Sequence, residues 1–209
     1  PGYIDLSEAY HDSVEEAFFL GGEARLSAEG PFQPGDYFWR PPGWVHMADA
    51  PDGFETILMM EGEDPAEGSD RVSRVVRPDE EAGHNPRPEP NQGLGPRGYV
   101  RRVETRFMVW RSHDDDFTAL GGGTLRSKLL SLNEDTASRS VLVRLPDGWS
   151  STPATSDRDR YLISTAGRLV ADGGGLSACS LVRIPAGAPA PRIEADGDVD
   201  LLVKVGSPR

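Results

Sequence analysis

Cysteine occurs once and histidine four times in these 209 residues, and both scarcities narrow the chemistry available. Cys179 alone can form neither an internal disulfide nor a Cys-based zinc framework, which fits a reducing, cytoplasmic setting. Any imidazole ligand or base must come from His11, His46, His84 or His113. Long apolar runs are missing too: patches such as Phe18-Phe19-Leu20 and Ile57-Leu58-Met59-Met60 fall far short of the roughly 18 residues a membrane-spanning helix needs. Positive charge is sparse, with 22 Lys and Arg against 34 Asp and Glu and a net charge of -12. Nucleic acids and anionic membranes are held by clustered bases, so neither is expected as a partner. The opening Pro1-Gly2-Tyr3 carries no charged-then-apolar leader, and the chain reads as processed or as starting partway through a domain.

Glycine (24) and proline (18), by contrast, are abundant and punctuate the sequence. From Glu61 to Gly98 they make up twelve of 38 residues, among nine acids and five Arg, with almost no apolar alternation. This segment reads as a long exposed connection. On either side lie short aromatic and β-branched segments bounded by turns, the pattern of an all-β barrel or sandwich. The last is the clearest: Val199, Leu201, Val203 and Val205 alternate with their neighbours at the period of a half-buried strand.

The chain also repeats itself. At an offset of 144, Pro41, Gly43, Gly53 and Gly62 fall on Pro185, Gly187, Gly197 and Gly206. At an offset of 145, Pro1 falls on Pro146 and Gly22 on Gly167. Two copies of one β unit are implied, as 1–62 and 99–209 joined by 63–98. The second copy has strand-like sequence before Pro146, in Lys128 to Leu145, for which the first has no counterpart. The first unit is therefore expected to lack its opening strands, with 99–110 or a partner subunit as candidates to fill the gap.

Chemistry concentrates in the first copy, as His11-x3-Glu15-x6-Gly22 followed by Gly35-x5-Pro41-x-Gly43-x2-His46. Residues four apart on a strand share a face, and the Pro41-Pro42-Gly43 turn returns a second strand beside the first, which would bring His46 opposite His11 and Glu15. Two imidazoles and a carboxylate form a set that leaves open positions on a first-row divalent metal. The same i,i+4 spacing also fits an amphipathic helix over 12–20 with Val14, Ala17 and Phe18 on one face.

These two motifs resemble those of the cupin superfamily. The resemblance implies a pair of small β-barrel units of the double-stranded β-helix or jelly-roll type, with one divalent transition metal (Fe, Zn, Ni or Mn) held by His11, Glu15 and His46. It departs from the usual pattern at Ala9, where a further histidine would stand, and at Ala50, where an Asn often follows. The second copy places Ala154, Ser156, Arg160 and Ala190 at the ligand positions, and no metal is expected there. The duplicated layout resembles bicupins related to the zinc-binding cupin of anti-sigma factors and to diketone or aryl-ketone dioxygenases. A metal-dependent dioxygenase acting on a small oxygenated substrate is the implied function, with a non-catalytic metal or ligand sensor, or a structural bicupin with lapsed sites, as alternatives. No catalytic acid or base is assigned, although Tyr10 and Tyr37 lie nearest in sequence. His84 reads as solvated, and His113, beside an acidic run, as part of a turn. Cys179 is expected to be a buried small residue. Trp39 and Trp44 are expected in core packing or an interface. A homodimer through an open strand edge is the expected assembly.

Overall fold

A computed structural model of the chain describes residues 2–11, 13–27, 29–60, 73–75, 97–113, 120–121 and 123–208. His84 and most of the 63–98 connection lie outside the described residues. The chain divides into two compact units, Pro1–Phe107 and Met108–Arg209. Apart from a single 3-10 turn at Thr105–Phe107, every regular element among the described residues is a strand.

In the first unit the strands are β1 (Tyr3–His11), β2 (Glu15–Gly22), β3 (Ala24–Leu26), β4 (Gly30–Phe32), β5 (Asp36–Arg40), β6 (His46–Ala50), β7 (Phe54–Met59), β8 (Ser73–Val75) and β9 (Val100–Glu104). They form two sheets, ordered β4-β3-β6-β1-β8 and β7-β2-β5-β9. Side chains from both sheets meet in one apolar cluster: Ala17 and Phe19 of β2 and Phe38 of β5 pack against Ala24, Leu26, Phe32 and Ala50. Phe19, Phe32 and Phe38 make its floor, with Phe32 and Phe38 edge to face at 5.5 Å between centroids, a geometry that aligns ring edge with ring face.

The helical alternative over 12–20 is not realised. β1 ends at His11, a turn follows, and β2 begins at Glu15 with five consecutive buried residues. His11 and Glu15 thus sit on strands of opposing sheets, where a single strand had been expected to carry both.

The second unit contains β10 (Arg111–His113), β11 (Leu125–Leu132), β12 (Arg139–Leu145), β13 (Arg158–Ala171), β14 (Gly174–Leu176), β15 (Leu181–Ile184) and β16 (Ile193–Pro208). One sheet runs β10-β11-β12-β16-β13-β14, with β15 also paired to β13. Its main cluster is apolar, built from Val141, Val143, Leu145, Leu162, Val199, Leu201, Val203 and their neighbours, with Arg160 and Ser164 of β13 also fully buried.

Strand pairing bears out the internal repeat. Glu15 pairs with Arg40 across β2 and β5, and Arg160 pairs with Ile184 across β13 and β15, at the offsets of 145 and 144. Gly22 and Gly167, one offset apart, both have φ above +60°, and a Cβ on either would come within 2.2 or 2.4 Å of a carbonyl oxygen on the neighbouring strand. Only glycine fits both demands.

The repeat also shows what differs. In the second unit β16 is flanked by β12 as well as β13. Its counterpart β7 pairs, among the described strands, with β2 alone. Leu58 of β7 is 51% exposed, whereas its equivalent Leu202 is fully buried. Residues 100–104 pair with β5, at the opposite edge of that sheet, so they do not occupy the position beside β7.

Cys179 departs from expectation. It is exposed, and its φ of 65° shows why: it has replaced the glycine equivalent to Gly35, whose φ is 86°, in a left-handed turn at the surface.

Candidate metal centre

Three elements bring the candidate ligands together. β1 and β6 are antiparallel neighbours in which Ala9 stands opposite His46, so His11, two residues along β1, lies diagonal to His46 on the same face. Their rings are 5.2 Å apart. Glu15 opens β2 on the facing sheet, and the turn is tied down by the Gly43 amide, which donates to the His11 carbonyl at 2.8 Å. One potential ligand atom from each of His11, Glu15 and His46 lies within 4.8 Å of the others. The register also puts Ala9, in place of a further imidazole, directly across from His46.

The protonation pattern follows from the hydrogen bonds. His46 Nδ1 is 3.1 Å from the Trp44 carbonyl, and a carbonyl only accepts, so Nδ1 carries the proton and Nε2 presents a lone pair. Burial lowers the His46 pKa, outweighing the pull of Glu15 in the other direction. Burial by itself would raise the Glu15 carboxyl, but the Arg40 guanidinium, helped by His46 and His11, outweighs it and holds the carboxyl below its ordinary value. At neutral pH a neutral imidazole lone pair therefore faces a carboxylate oxygen 3.6 Å away. Two acceptors set against each other, with a second imidazole beside them, suit a cation placed between them. The donor set fits a first-row divalent metal with open positions.

A second group of side chains backs this set. Arg40 closes β5 on the interior face, with its guanidinium 4.1 Å from the Phe38 ring centroid. Its Nη1 donates to Glu15 at 2.8 Å and its Nε to Glu29 at 2.9 Å. The Tyr99 hydroxyl donates to the same Glu29 oxygen at 2.9 Å, and its ring stacks on Trp44 at 3.8 Å. Burial raises the Tyr99 pKa and the Glu29 carboxylate raises it further, so the phenol keeps its proton. Arg40, side chain 1% exposed, keeps its charge because Glu15 and Glu29 outweigh the burial that would lower its pKa.

The motifs did not reveal Arg40, Glu29 or Tyr99. One sign of Arg40 was available: Asp36, Phe38 and Arg40 alternate with Tyr37 and Trp39, which puts an Arg on the interior face immediately before Pro41. Of the tyrosines nearest in sequence, Tyr37 belongs to the other face of β5, where its hydroxyl donates to Glu16 at 2.7 Å. Tyr10 alternates with His11 on β1. Trp44 frames the site through its carbonyl and its stacked ring, while Trp39 lies on the face of Tyr37 with the Arg97 guanidinium 5.4 Å from its ring centroid.

Among the described residues of the second unit, no comparable donor set stands. The equivalent of Glu15 is Arg160, whose Nη2 donates to the Ala154 carbonyl at 3.3 Å, and the equivalent of Arg40 is the buried Ile184.

No family model and no curated protein matches this sequence, but its three-dimensional likenesses are plain. A Nostoc punctiforme protein provisionally assigned as a dioxygenase matches over 100% of this chain and 67% of its own, at 14% identity and a TM-score of 0.75. The fold is that of a bicupin. Salicylate 1,2-dioxygenase from Pseudaminobacter salicylatoxidans matches over 98% of the present chain, at 16% identity and a TM-score of 0.57. A variant of Bacillus subtilis oxalate decarboxylase matches over 100%, also at 16% identity and 0.57. The present chain spans 68% and 66% of those two chains.

Proposed function

We propose that the first barrel binds one divalent transition metal through His11, Glu15 and His46, and that the protein is a metal-dependent enzyme, such as a dioxygenase, acting on a small oxygenated substrate of the diketone or aryl-ketone kind. The observation that carries this reading is the convergence of the three donors with the His46 Nδ1 proton already committed to the Trp44 carbonyl. The likeness to salicylate dioxygenase and oxalate decarboxylase supports it at the level of fold.

When bound, such a metal supplies Lewis acidity and, if it is iron, a route to dioxygen. The protein's own groups have separate tasks. The Trp44 carbonyl fixes the His46 ring, and Arg40 orients Glu15. The Phe19, Phe32 and Phe38 floor excludes water beneath Arg40. No further side chain among the described residues is assigned as acid or base in this reading, which leaves proton transfer to the substrate or to solvent. A cytoplasmic setting and a homodimer complete the reading, from the single cysteine and the β7 edge.

A non-catalytic metal sensor is the second reading. It is favoured by the Arg40–Glu15 ion pair, which an arriving metal would have to share or remodel.

Metal analysis of the purified and reloaded protein tests both. About one equivalent is expected in the wild type and none in His46→Ala. Failure of the wild type to take up any transition metal, or an unchanged content in His46→Ala, would refute the assigned site. Oxygen consumption with diketones and hydroxyaryl ketones then separates the enzyme from the sensor.

A further inference from the structure

Arg40 is bonded at only two of its three nitrogens. Nε and Nη1 meet Glu29 and Glu15, while Nη2 is buried and meets no partner among the described residues. The Glu29 Oε2 atom, on the side chain joined to Arg40 by the Nε bond, is also buried without one. A buried donor left unmade costs about 1–3 kcal/mol, and more on a charged group, so an orphan nitrogen beside a candidate metal site calls for an occupant.

The barrel itself does not need this residue. The equivalent position of the second unit is Ile184, buried in an apolar core, so the strand accepts a hydrocarbon there. Formal charge points the same way. With a divalent cation on neutral imidazoles, one guanidinium and the carboxylates of Glu15 and Glu29 leave the centre one positive charge in excess. A ligand carrying a single negative charge balances it. Guanidinium nitrogens recognise such oxygens through short, charge-assisted hydrogen bonds.

We propose that Arg40 is the specificity-determining residue of the first barrel, with Nη2 donating to the charged oxygen of a monoanionic carboxylate or enolate ligand held at the His11–Glu15–His46 centre. This rests on the metal-binding reading and narrows it: neutral ketones are disfavoured against their enolates and against carboxylates.

The test uses cobalt(II)-loaded protein, whose visible spectrum reports ligands entering the metal, titrated with acetylacetonate as monoanionic probe and imidazole as neutral probe. Arg40→Lys keeps a positive charge between Glu15 and Glu29, so it preserves the fold while losing Nη2. On the cobalt-loaded fraction of this variant, acetylacetonate is expected to weaken by about ten-fold or more, with imidazole affinity falling much less. Unchanged acetylacetonate affinity in Arg40→Lys would overturn the proposal and assign the orphan atoms to a bridging water. Parallel loss of both probes, or loss of cobalt itself, would overturn it by reducing Arg40 to a support for Glu15. A wild type that takes up no cobalt refutes the metal reading and this inference together, an outcome distinct from selective failure of the anion.

Discussion

The two units carry the same strand ladder and fill it in opposite ways. Where β2 and β5 set Glu15 against Arg40, β13 and β15 set Arg160 against Ile184. The first interior holds an ion-paired cluster of Glu15, Arg40 and Glu29 above three phenylalanines. The second is mainly an aliphatic core of Val, Leu, Ile and Ala, into which Arg160 is also buried. Burying a charged group costs several kcal/mol before any pairing recovers it, whereas each buried aliphatic side chain contributes about 1.5–3 kcal/mol. The difference sets one barrel with an ion-paired polar centre against another that is mostly apolar packing around the buried Arg160.

Truncations on each side break this contrast most strongly. Arg40→Met leaves Glu15 and Glu29 buried without their cation and should destabilise the first unit by about 3–5 kcal/mol. Leu201→Ala should cost the second unit about 2–5 kcal/mol through its cavity, yet leave metal uptake untouched. Denaturant melts paired with metal analysis check both, and loss of metal in Leu201→Ala would mean the units are not energetically separate. Ala9→His should sharpen the contrast by placing a third imidazole across from His46, raising metal affinity in a chelator competition. No gain in affinity would show that the Ala9 side chain does not face the donors.

Acid should act on the first unit in the metal-free protein. The His46 pKa is lowered from 6.5 and that of Glu15 from 4.5, so each group binds protons less readily folded than unfolded. Their contribution is fully present above pH 6.5 and is lost as pH falls, first through His46 and then through Glu15. Thermal melts from pH 8 to 4 should show this decline, and a flat profile would contradict it. The smallest effect is expected at the second unit's surface, where Cys179→Gly relieves a left-handed residue and should stabilise by about 1 kcal/mol.

Much of this was legible in the residues. Turn glycines and prolines recur at fixed offsets because the chain must reverse at the same places in each copy, so the repeat and the β architecture could be read from spacing. His11, Glu15 and His46 could be read because the turn between β5 and β6 has a recognisable frame. Arg40, Glu29 and Tyr99 could not, since their partnership spans three separate segments and depends on which way the Glu29 loop and the chain before β9 fold. The place of β9 was equally hidden: residues 100–104 could have joined either edge of the sheet, and only the pairing of Tyr37 with Val103 decides it. Cys179 misled because cysteine is usually buried, while its position had inherited a glycine's backbone.

Gly22 and Gly167 set a limit on how far the sequences of the two units can differ. Every candidate ligand of the first barrel has been replaced in the second, yet at this crossing neither copy can accept a side chain without striking the adjacent backbone. The likeness of the two units is therefore held most firmly by backbone positions that carry no side chain, and a variant of either glycine should disrupt its own unit whether or not that unit holds a metal.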